Sequence, residues 1–100
     1  MSYKSLTNEK LKYLKNIEFK ELKVLNLSYN YISDIKVLEN VNFKELKELH
    51  LSYNEISDIK VLENVNFKEL KKLDLGYNKI NAEENSSIIK NLKLKFKIQI

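Results

Sequence analysis

Between residues 22 and 81 the apolar positions switch period within each stretch, then repeat the switch. Leu25 and Leu27 alternate with polar neighbours, the two-residue period of a strand with one buried face. After Ser33 and Asp34, residues suited to a helix start, Ile35 and Leu38 fall three apart, the spacing of a short helix or 3₁₀ turn. The pattern therefore predicts strand, tight turn, short helical turn and return loop. Leu22, Leu25, Leu27, Ile32, Ile35, Leu38, Val41 and Phe43 should point inward.

The same order restarts 24 residues later. LKVLNLSYNYISDIKVLENVNFKE runs from Leu22, and LKELHLSYNEISDIKVLENVNFKE runs from Leu46. The copies differ at Val24/Glu48, Asn26/His50 and Tyr31/Glu55. A third start, LKKLDLGYNKI, begins at Leu70. A fixed period of this length signals stacked repeats, each too small to stand alone and each closing its core against its neighbours. Asn30, Asn54 and Asn78 should then form a buried ladder whose amides satisfy backbone groups at the turn. Phe43 and Phe67 should stack under the return loops.

The spacing L-x-x-L-x-L-x-x-N-x-I at Leu22–Ile32, Leu46–Ile56 and Leu70–Ile80 resembles the leucine-rich repeat family. The following I-S-D-I-x-x-L resembles its internalin and phosphatase-regulator branch, a short-repeat class. The resemblance implies an α/β solenoid, a right-handed curved coil. It would have a parallel sheet on the concave face and short helices or 3₁₀ turns on the convex face. It also implies protein binding by the concave face, without catalysis.

The ends depart from the repeat. Leu11, Leu14, Ile17 and Phe19 lie one period before Ile35, Leu38, Val41 and Phe43, so residues 1–21 read as a helical N-terminal cap, with a helix from Thr7 or Asn8 to about Lys15. After Ile80, Glu83 and Ser86 fall where Ile59 and Leu62 predict apolar residues. Asn81-x-x-Glu84 instead forms a capping-box-like start. It predicts a helix of about ten residues that gives Ala82, Ile88, Ile89 and Leu92 to the core. The stretch Leu92–Ile100, LKLKFKIQI, alternates with period two and reads as a final parallel strand. One domain is expected over 1–100: cap 1–21, repeats 22–45 and 46–69, a partial repeat 70–81 and a helix-plus-strand cap 82–100.

The open face carries the candidate chemistry. Its rows are Val24, Glu48, Lys72; then Asn26, His50, Asp74; then Ser28, Ser52, Gly76; then Tyr29, Tyr53, Tyr77; and at the turn Tyr31, Glu55, Lys79. All three differences between the full copies fall in these rows. Diversification for a ligand, chance, and internal pairing each account for that. Neighbouring strands lie about 4.8 Å apart, which would pair Glu48 with Lys72, His50 with Asp74 and Glu55 with Lys79. A His50–Asp74 pair would make the face pH-sensitive. Tyrosine supplies rigid area with a polar tip and is enriched in interfaces; a line of exposed rings also invites stacking of bases or sugars. Against both stands packing of the rings on one another. The candidate partner-binding residues are thus Tyr29, Tyr53, Tyr77, Glu48, His50, Lys72 and Asp74.

Ser52, His50 and Asp74 do not make a catalytic triad. Ser52 and His50 sit two apart on one strand, the face is open, and no glycine-rich turn offers an oxyanion hole. One histidine and no cysteine give no metal-ligand set, and no phosphate-cradling loop exists. No cofactor is expected. Without cysteine there is no disulfide framework. The polar start MSYKSLTNEK is no secretion signal, so a cytoplasmic protein is the expectation. The net charge is +4 and every basic residue is lysine. Nucleic-acid readers favour arginine, which leaves Lys23, Lys47, Lys71 and Lys72 as a weak polyanion surface. No membrane or nucleic-acid partner is expected. A monomer that binds protein is the first reading. The alternative is an assembly unit, homodimeric in its simplest form, that associates through the C-terminal strand or the ends of the stack.

Overall fold

The structure, a computed structural model, describes residues 11, 22–41, 43–65 and 67–100. Four short strands form one parallel sheet in chain order: β1 (Val24–Asn26), β2 (Glu48–His50), β3 (Lys72–Asp74) and β4 (Lys97–Gln99). The register puts Leu25 beside Leu49 and Leu49 beside Leu73. Residues one period apart therefore lie side by side, as repeat stacking requires. The central leucines are fully buried while their strand neighbours are half-buried. Two 3₁₀ turns, Lys36–Asn40 and Lys60–Glu63, form the opposite layer. Asp34 and Asp58 act at the predicted starts: each Oδ1 accepts the amide hydrogen bond of the residue two further on, Lys36 or Lys60, at 3.0 Å.

The core runs continuously from Leu11, which is helical and buried, to Leu92. Phe43 and Phe67 pack at 5.5 Å between ring centroids, and Phe96 meets Phe67 edge-on at 6.2 Å. Burying each such side chain contributes about 1.5–3 kcal/mol. Leu22 is only partly buried at the edge of this core. The remainder of the expected N-terminal helix lies outside the described residues, as do Asn42 and Asn66.

The asparagine ladder links one repeat to the next. Asn54 Oδ1 accepts from the amides of Asn30 and Ile32, both at 2.9 Å. Its Nδ2 donates to the carbonyls of Leu27 and Leu51 at 3.0 Å. Asn78 does the same one repeat on, accepting from Ile56 and donating to Leu51 and Leu75. Backbone groups at a turn that cannot join the sheet are thus satisfied by a side chain from the following repeat.

The C-terminal segment differs from its sequence pattern. Asn81 Oδ1 accepts from the Glu83 and Glu84 amides, both at 3.0 Å, as a capping residue should. The helix proper, α1, spans Ser86–Lys95 and begins four residues later than Ala82, which is exposed. It then runs through half of the stretch expected to be strand, leaving only Lys97–Gln99 for β4. Leu94 consequently faces solvent at 82% exposure. Two periodicities coexist here, and the helical one (Ile88, Ile89, Leu92) wins over most of the segment. β3 offers only three residues for pairing, so a longer strand would find no ladder.

Candidate interaction face

The alternation of β1–β4 sends Glu48, His50, Lys72 and Asp74 to the open face, each half-buried. The expected cross-strand pairing is realised only at the turn, where Lys79 Nζ lies 3.6 Å from Glu55 Oε1. His50 and Asp74 are register partners, yet their side chains do not pair. The His50 ring turns along its own strand to Glu48, with Nε2 3.5 Å from Oε1. Asp74 Oδ1 instead accepts from the Gly76 amide at 3.0 Å. Asn26 makes the equivalent bond to the Ser28 amide at 2.9 Å. The local amide two residues on thus outcompetes the neighbouring strand, as short polar side chains commonly allow. Glu48, engaged with His50, likewise leaves Lys72.

Beyond the strands the serine and tyrosine rows form columns. Ser28 Oγ and Ser52 Oγ share a hydrogen bond at 3.0 Å; the third position is Gly76. Tyr29 and Tyr53 stack with centroids 4.4 Å apart and planes 8° apart, and Tyr53 and Tyr77 follow at 4.3 Å and 9°. Each pair contributes about 0.5–1.5 kcal/mol beyond area burial. The column stays exposed, at 67%, 42% and 75% for Tyr29, Tyr53 and Tyr77. Both faces of Tyr53 are covered by its neighbours, so a base or sugar cannot stack on it. Only ring edges and hydroxyls remain for contact along the column, with outer faces at its two ends.

All three tyrosines sit in the left-handed region, at φ 63°, 55° and 56°, as does Tyr31 at 55°. That conformation costs roughly 1–2 kcal/mol for a residue with a side chain. It is held by the hydrogen-bonded asparagine that follows each column tyrosine. No sequence signal announces it, because glycine or asparagine would be the expected occupant. The flanking Tyr phenols also hold the Tyr53 hydroxyl above the ordinary tyrosine range: partial burial between them disfavours the phenolate, and repulsion from Tyr77 and Tyr29 adds to this.

A groove of about 350 Å³ runs beside the column, lined by Tyr29, Tyr31, Tyr53, Glu55, Tyr77 and Lys79 among others. A smaller recess of about 290 Å³ joins Asp74 and Gln99 of the sheet to Tyr53 and Tyr77. Of the seven candidate residues, these recesses bring together Tyr29, Tyr53, Tyr77 and Asp74, while Glu48, His50 and Lys72 stand on the strands beside them and line neither.

A family model described as Leucine Rich repeats (2 copies) matches residues 20–64 and 44–93. The chain belongs to the leucine-rich repeat family. The match spans the three repeat strands and most of α1, and the parallel sheet backed by 3₁₀ turns fits the solenoid expected of such repeats. Members of the family commonly mediate protein–protein interaction and are generally non-enzymatic. No match was found among curated proteins. Among the described residues of this leucine-rich repeat chain, no helix is long and apolar enough to cross a membrane.

Proposed function

We propose that this leucine-rich repeat chain is a non-catalytic module that binds a protein partner through the open face of its sheet. Tyr29, Tyr53 and Tyr77 provide the contact ribbon, and Glu48, His50, Lys72 and Asp74 provide its polar border. The supporting observation is the exposed tyrosine column. Its rings are held in place by one another before a partner arrives. Binding them therefore loses little side-chain entropy, at about 0.5–1.5 kcal/mol saved per side chain already immobile. Ring edges and hydroxyls suit the mixed apolar and hydrogen-bonding surface of a protein better than the flat faces of bases.

Affinity capture with the whole chain as bait, compared with Tyr53→Ala and His50→Ala, tests this reading. Loss of the captured protein in both variants, with an unchanged far-ultraviolet circular dichroism spectrum, is the expected result. Undiminished capture by both variants would refute the assignment of the face.

A further inference from the structure

Lys72 and Lys97 are register partners across β3 and β4. Both side chains project from the open face, because the next residue on each strand, Leu73 or Ile98, turns to the core. Adjacent strands lie about 4.8 Å apart, and like charges set side by side on a sheet repel. Among the described residues, no carboxylate reaches either ammonium. Glu48, on the other flank of Lys72, is turned to His50. Asp74 is turned to the Gly76 amide. No described carboxylate lies within 4.0 Å of either ammonium. Gln99 stands two residues beyond Lys97 on the same face and carries a side-chain amide able to donate. Lys72, Lys97, Ile98 and Gln99 line a recess of about 320 Å³. The surroundings reinforce the sign: residues 86–100 contain four lysines and no acidic residue.

We propose that Lys72 and Lys97, with the Gln99 amide, form a seat for a carboxylate side chain of the partner, so that the face selects an acidic peptide segment. The proposal rests on the open-face reading above and adds the chemistry of the partner. Two ammonium groups and an amide supply donors for both oxygens of one carboxylate, in a surround of opposite charge. A nucleic-acid backbone fits less well. Its successive phosphates would cross Glu48 and Asp74 on the adjoining positions, and the seat contains no arginine fork.

The test is an amide NMR titration of the intact chain with hexaglutamate peptide, and in parallel with single-stranded hexathymidylate at the same salt. Hexaglutamate should move the Lys72, Lys97 and Gln99 amides in a saturable way. Lys97→Gln, at an exposed position that leaves the core untouched, should weaken that binding at least threefold. Lys36→Gln, on the first 3₁₀ turn, should leave it unchanged. Shifts scattered over all lysines, an unaltered affinity in Lys97→Gln, or tighter binding of hexathymidylate would each overturn the proposal. Partner capture separates the two levels. Capture lost in Lys97→Gln as well as in Tyr53→Ala supports the seat. Capture that survives Lys97→Gln but not Tyr53→Ala removes the seat and leaves the face standing; capture that survives both removes the face.

Discussion

Replacing Asn54 by alanine probes the link that holds neighbouring repeats together. The side chain is 7% exposed and reaches five backbone groups. Two amides, of Asn30 and Ile32, donate to its Oδ1 at 2.9 Å. Its Nδ2 donates to Leu27 and Leu51 carbonyls at 3.0 Å and more loosely to Ser52 at 3.2 Å. Two hydrogens cannot fully serve three acceptors, so four contacts are counted. Each is worth about 1 kcal/mol net, and an orphaned buried donor costs about 1–3 kcal/mol. Asn54→Ala should therefore cost about 3–5 kcal/mol on that scale. Asn78 is half-buried with three close contacts, so Asn78→Ala should cost about 2–3 kcal/mol. Urea unfolding followed by circular dichroism, extrapolated linearly to water, measures both. Asn54→Asp keeps the acceptor, loses the donors and sets a charge against carbonyl oxygens; it should be no better than alanine at neutral pH. A loss below about 1 kcal/mol for Asn54→Ala, or an Asn78→Ala loss that exceeds it, would refute the ladder as the principal polar link.

Other expectations follow from the tyrosine column and the lysine pair. At φ 55°, Tyr53→Gly should be less destabilising than Tyr53→Ala by about 1 kcal/mol, reversing the usual order of these residues; paired urea melts decide it. The Tyr53 hydroxyl should titrate above the ordinary tyrosine value of 10.0, read from its ring-carbon NMR signal, and Tyr77→Phe should bring it down. Since its folded value is raised, the stability linked to this group is complete below pH 10.0 and is lost as pH rises through the folded value. Lys97→Glu should raise stability by about 0.2–1 kcal/mol by giving Lys72 an opposite charge, while hexaglutamate binding disappears. A variant both less stable and unable to bind would indicate simple damage to β4.

Much of the arrangement was legible in the residues. The inward set apart from Leu22, the turns after Ser33-Asp34 and Ser57-Asp58, and the buried Asn54 follow from spacing, because a repeat's neighbours are copies of itself, and the parallel order follows from the resemblance to leucine-rich repeats. The side-chain partners on the open face were less legible. A Glu48–Lys72 or His50–Asp74 pair is fair on register alone, yet the Gly76 amide and the His50 ring offered nearer partners. The Lys72–Lys97 register pairing was hidden because β4 breaks the period: its offset from β3 is 25 residues, where the repeats keep 24. The stretch LKLKFKIQI supported two periods at once. Its division between helix and strand depended on the length of β3.

Sequence alone determined that residues one period apart become neighbours, since near-identical units with leucines at fixed intervals bury those leucines against each other. It also determined the chemistry on offer, which is tyrosine, serine and lysine without cysteine or a ligand set. Tertiary structure decided how those groups are spent. It closed both faces of Tyr53 by stacking and held the tyrosines in a left-handed turn through the asparagines that follow them. It also turned Glu48 and Asp74 away from Lys72. The reason is geometric: strand period assigns a side chain to a face, but its partner is chosen by small differences in distance between groups on its own strand and groups on the next.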